Sequence, residues 1–170
     1  MFLRIPLPEC LRIKLLSKKS EIDIARDIGS NTAVIRAVID TNVLVAGLRS
    51  SSGASYQIIL AADRGDFEVA LSVPLLTEYD DVTSRAKSGI TIPPAAVTDI
   101  INRIAMISHR QLIYYLWRPI LPDPKDDMVL EVAIAAGVSH IITFNKKDLK
   151  PASEFGIAVV QPSEFLPFIL

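Results

Sequence analysis

From Arg36 onward the chain alternates short apolar runs with longer segments of helical period, the arrangement that builds a parallel sheet flanked by helices. The runs that predict strands are "AVID" at 37–40, "FEVALS" at 67–72, "HIITF" at 140–144 and "IAVVQ" at 157–161. Rich in β-branched residues, they suit strands covered on both faces. Between them, "GASYQIILAADRG" predicts a helix stopped by Gly65. "SVPLLTEYDDV" predicts one capped by Ser72, with Pro74 in its first turn. In "PPAAVTDIINRIAMI", Val97, Ile100, Ile101, Ile104 and Ile107 fall on one helix face. "DDMVLEVAIAAG" begins with two acids at the favourable end of a helix dipole and ends at Gly137.

One stretch breaks the pattern. In "AVIDTNVLVAGL" (37–48) a carboxylate, a hydroxyl and an amide follow each other between apolar residues. Buried polar groups need partners. Asp40 ends the first predicted strand, which is where an open parallel sheet presents its ligands. Three further acids occupy comparable places. Glu78 is on the helix after the second strand, Asp127 starts the helix leading into "HIITF", and Asp148 follows that strand by four residues. The gaps between them are 38, 49 and 21 residues, so only the sheet topology can gather them. Taken singly, each acid has an ordinary reading: a strand end for Asp40, a solvated helix position for Glu78, a helix cap for Asp126 or Asp127, loop surface for Asp148. Their joint placement points to chemistry.

Carboxylates gathered in one crevice repel and raise each other's pKa values. A hard dication removes that repulsion, and Mg²⁺ or Mn²⁺ takes oxygen ligands while keeping waters for substrate chemistry. Such an ion activates water against a phosphodiester. His109 and His140 are too far apart in sequence, and too few, to suggest a zinc site.

Composition narrows the class. The 170 residues, half of them apolar, suffice for one core, and the net charge is −1. Residues 1–36 hold seven Lys/Arg against four Asp/Glu, and the remainder eleven against fifteen, so the main body is acidic and a polyanion would need a local basic patch. The single cysteine, Cys10, excludes an internal disulfide and fits a reducing, cytoplasmic setting. No apolar run reaches the roughly 18 residues needed to span a bilayer, which predicts no membrane partner. Residues 1–35 lie outside the alternation and read as an extension, either an added helix and arm or a segment with little structure that a later translation start would omit; residues 36–170 read as the domain.

The pieces "VIDTNVLVAG", "LSVPLLTEYDDV", "LPDPKDDMVLEVAIAAG" and "HIITFNKKDL", in this order, resemble the PIN-domain nucleases, including the ribonuclease toxins of toxin-antitoxin pairs. The resemblance covers residues 36 to about 150. It implies a Rossmann-like α/β domain, a parallel sheet with helices on both faces, and Mg²⁺- or Mn²⁺-dependent hydrolysis of RNA with one or two ions. It also implies that Asp40, Glu78, Asp127 and Asp148 form the catalytic, metal-binding site. Thr41 and Asn42 would be first-strand polar residues holding Asp40 or a metal-bound water. The family's spacing favours Asp127 over Asp126, which is kept in reserve. At Asn145 some family members carry an acid, which puts the second metal in question. Arg49, Lys146 and Lys147 are the cations chosen for contacts with RNA phosphates.

The expected activity is therefore that of a metal-dependent endoribonuclease, a toxin with an antitoxin partner and a homodimeric habit. Two alternatives stand beside it: a non-catalytic PIN-like module that binds RNA or protein, and a phospho-acceptor or phosphatase domain. The second is weaker, because "DTN" lacks the second Asp of a phosphatase nucleophile motif. Tyr79, Tyr115 and Trp117 are assigned to core or a dimer face, and "FLPFIL" (165–170) either to a dimer face or to the domain's own core.

Overall fold

The computed structural model describes residues 34–85, 89–114, 121, 123 and 126–169. The reading of residues 1–33 as an extension, with Cys10 and the assignments of Tyr115 and Trp117, lies outside these residues. The five strands are β1 (Arg36–Ile39), β2 (Glu68–Leu71), β3 (His109–Arg110), β4 (His140–Ile142) and β5 (Ala158–Val160). They form one sheet in the order β3-β2-β1-β4-β5, with every pairing parallel. The principal helices are α1 (Thr41–Arg49), α2 (Ala54–Arg64), α3 (Val73–Ser84), α4 (Pro94–Ile107) and α5 (Asp127–Ala135), followed by a short α6 (Pro162–Phe165). The predicted α/β class holds.

Local chemistry explains the boundaries. Ser72 caps α3 by accepting the Leu75 amide, with Pro74 in the first turn. Gly65 closes α2 in the left-handed region, φ +78°, which an L side chain rarely adopts. Val97, Ile100, Ile101 and Ile104 are buried along one face of α4, as their spacing predicts.

Strand alternation divides the core in two. Val38, Ala70 and Ile141 belong to one cluster with residues of α3, α4 and α5. Ala37, Ile39, Val69 and Ile142 belong to another with Ile58 and Ala61 of α2 and with Phe165. Phe165 is fully buried and meets the rings of Phe67 and His140 edge-on, so the start of "FLPFIL" is tucked into the domain's own core.

Two departures matter for the site. The first strand ends at Ile39, and Thr41 and Asn42 open a helix instead of continuing the strand. α1 is buried almost all round, at Thr41, Val43, Leu44, Val45, Gly47 and Leu48, so it shows no polar face to mark it as a helix. Likewise β4 stops at Ile142, which releases Thr143 and Phe144 from the ladder into the following turn.

Candidate active site

The central pair β1 and β4 sets the geometry. Their register places Ile39 beside Ile142, so the next residues, Asp40 and Thr143, leave the sheet side by side at its carboxyl edge. The Asp40 amide still donates to Ile142 O at 2.9 Å, and the Thr143 amide to Val160 O at 2.9 Å, which fixes both backbones. Thr143 Oγ1 donates to Asp40 Oδ2 at 2.6 Å, and Asn42 Nδ2 donates to the same oxygen at 2.7 Å. Asn42 Nδ2 also reaches Thr143 Oγ1 at 3.2 Å, closing a triangle around one carboxylate oxygen.

Asp40 is 5% exposed, and burial raises its pKa above the ordinary carboxylate value. The Thr143 hydroxyl opposes that shift most, with help from the Thr41 and Asn42 amides at the head of α1, although neither closes a capping hydrogen bond. From the other side Tyr79, fully buried on α3, donates its hydroxyl to Ile39 O. Burial and the nearby Asp40 charge both push the Tyr79 phenol upward.

Asn145 organises the remaining acids. Its amide nitrogen donates to Asp126 Oδ2 at 3.0 Å and to Asp148 Oδ2 at 2.7 Å, so those two oxygens are at most about 5.7 Å apart. Its own backbone N–H donates to Thr143 Oγ1 at 2.8 Å, joining this bridge to the Asp40 triangle. Asp126 is pushed up to about 6, first by loss of water, then by the charges of Asp40, Asp123 and Asp148; the Asn145 bond pulls the other way.

The paired acids differ in their contacts. Asp127 is 1% exposed, and its Oδ1 accepts the Leu121 amide at 2.9 Å, which ties the preceding loop to the start of α5. Asp126 precedes the helix without a capping hydrogen bond, and its carboxylate meets Asn145 instead. Glu78 is half-buried on α3, and no hydrogen bond or ion pair joins it to the other acids among the described residues.

The cations are scattered. Lys146 is paired with Glu164, at 2.9 and 3.1 Å to its two oxygens. Lys147 is exposed, and its ammonium has no hydrogen-bond or ion-pair partner among the described residues. Arg49 ends α1, and its backbone lies about 12 Å along the helix axis from Thr41, the residue next to Asp40. Thr143 is the one member of this network that its own place in the sequence does not mark. Its signal lies in the register: once "AVID" and "HIIT" pair in parallel, the polar residue that ends each run faces the other.

A PIN domain model matches residues 36–147, well over half the chain. The chain belongs to the PIN domain family. The family accounts for the parallel sheet flanked by helices. One similar solved structure is the crystal structure of VapBC2 from Rickettsia felis bound to a DNA fragment from their promoter. It has a TM-score of 0.51 and 13% identity, and the match covers 74% of this chain and 97% of that one, a likeness of fold. No curated protein matches the sequence.

A divalent ion can be weighed against this PIN domain's own donors. Asp40, Asp126 and Asp148 offer only oxygens, as a hard cation prefers, and Asp126 feels the charges of both Asp40 and Asp148. As hydrogen-bonded here, however, Asn145 occupies the space between two of them, and among the described residues no group of three or more His, Cys, Asp or Glu is arranged to hold a metal. The donor chemistry fits; the ion would have to take over from the amide. Among the described residues no helix is long and apolar enough to cross a membrane.

Proposed function

We propose that this PIN domain is a metal-dependent endoribonuclease, the toxin of a toxin-antitoxin pair. The observation that carries the reading is the Asn145 amide shared by Asp126 and Asp148 beside the buried Asp40: three carboxylates converge at the sheet's carboxyl edge, and two of them share one neutral donor. Surface acids with a structural role do not need to converge in this way. Asp40, Asp126 and Asp148, with Glu78 from α3, would hold Mg²⁺ or Mn²⁺. When bound, the ion supplies an activated water and offsets charge on the phosphodiester. Thr143 and Asn42 keep Asp40 in one orientation, and Lys147 stands ready for a flanking phosphate. The match to a VapBC2 complex supports an antitoxin partner for this chain.

The test is cleavage of RNA by purified protein with Mg²⁺ or Mn²⁺, which Asp40→Asn is expected to abolish. Equal cleavage by both proteins would trace the activity to a contaminant and overturn the reading. The competing reading is a non-catalytic binding module, favoured by the absence of a preformed metal cluster among the described residues. It predicts that millimolar Mg²⁺ or Mn²⁺ leaves the melting temperature unchanged, whereas a bound ion raises it.

A further inference from the structure

Phe144 stands between the two residues that bind the acids, Thr143 on Asp40 and Asn145 on Asp126 and Asp148. Successive Cα atoms are about 3.8 Å apart, so its backbone belongs to the site's rim. That backbone is held still: the Phe144 amide donates to Asn42 Oδ1 at 3.3 Å, and Asn42 is itself fixed on Asp40. The residue nevertheless is 49% exposed, and its ring meets no other aromatic ring among the described residues. Phe165, by comparison, is fully buried against two rings. A large apolar ring is thus left half-exposed on a rigid backbone at the rim of an acidic site, and Asn42 spends its side-chain carbonyl oxygen on holding that backbone.

We propose that Phe144 is a base-stacking residue that selects unpaired RNA, receiving the nucleobase next to the bond to be cut. An aromatic face takes any base, because each has a π-face, but only where the strand is unpaired. Lys147, exposed three residues on, supplies the phosphate contact that such a platform needs. Stack and cation lie on one segment whose other residues hold the acids, so base capture and phosphate placement are coupled by the backbone. The inference rests on the nuclease reading for its substrate, but it has its own measurement.

Binding of a fluorescein-labelled single-stranded RNA oligonucleotide is followed by anisotropy without divalent ions, and cleavage of the same oligonucleotide is followed with Mg²⁺. Phe144→Ala is expected to weaken binding and lower kcat/KM about tenfold, while Phe144→Trp restores both. The loss should vanish on an oligonucleotide made abasic beside the cleaved bond, and should be absent for duplex RNA. The melting temperature of Phe144→Ala should match the wild type, since an exposed ring is removed. Wild-type tightness in Phe144→Ala overturns the inference and leaves the nuclease reading standing. Binding that depends on Phe144 without any cleavage overturns the nuclease reading alone. Loss of equal size on intact and abasic RNA, or loss only of binding to a protein partner, assigns the ring another role and also overturns the inference.

Discussion

Thr143 donates a 2.6 Å hydrogen bond to Asp40 across 103 residues of sequence. The hydroxyl is the strongest influence holding the buried carboxylate charged, and it also receives the Asn42 amide and the Asn145 backbone N–H. Thr143→Val keeps the shape and removes all three bonds. The expected result is a loss of about 1–3 kcal/mol in urea unfolding, the range for leaving buried polar groups unmet. RNA cleavage should fall about 10- to 100-fold, as for other residues that orient metal ligands. Unchanged cleavage would show that Asp40 needs no such support.

Asp126 gives stability a pH dependence of known sign. Its folded-state pKa of about 6 lies above the ordinary 3.8, so between these values the folded protein holds more protons than the unfolded one. Its contribution to stability is full below pH 3.8 and is lost as pH rises through 6. Metal-free Asp126→Asn should lack this slope, so its stability relative to wild type should climb from pH 4 to pH 7. Urea unfolding at several pH values in EDTA measures it, and parallel curves for the two proteins would contradict the assignment.

Replacing the shared amide by a charge should separate the metal-free and metal-bound states. Asn145→Asp puts a third carboxylate between Asp126 and Asp148, in place of the donor both accept from. In EDTA its melting temperature should drop below that of the wild type, and Mg²⁺ should raise it by more than it raises the wild type. An equal Mg²⁺ response in the two proteins would place any ion elsewhere.

The two adjacent lysines should behave differently toward RNA. Lys147→Ala removes an exposed cation, whereas Lys146 is already occupied by Glu164. Lys147→Ala should weaken single-stranded RNA binding and reduce the slope of log affinity against log salt by about 0.7, the value for one phosphate contact. Lys146→Ala should change the slope little. Titration at four salt concentrations separates them.

The parts of this fold that were legible in the sequence are those with contrast. The apolar runs of β1, β2, β4 and β5, the stripe of α4 and the stops at Gly65 and Gly137 all differ from their surroundings. α1 was hidden because its burial leaves no polar face, and β3 because its two residues, His109 and Arg110, are polar at a sheet edge. In the candidate site, Asp40 and Asp148 could be picked out by their place after strands. The expectation of Asp127 over Asp126 rests on the family's spacing, and neighbouring identical residues carry no pattern that reveals which carboxylate meets Asn145. Thr143 was within reach, since parallel pairing of two predicted runs already aligns their polar ends.

The central strands β1 and β4 are neighbours in the sheet, yet β2, β3 and five helices are made between them. An unfinished chain on the ribosome therefore carries Asp40 without Thr143, and without the amide that binds Asp126 and Asp148. Late pairing of this kind is also slow, because a long loop must close first. The acid site therefore comes together only once residues 143–148 have been made, so Asp40 waits for its hydroxyl partner over 103 residues of synthesis.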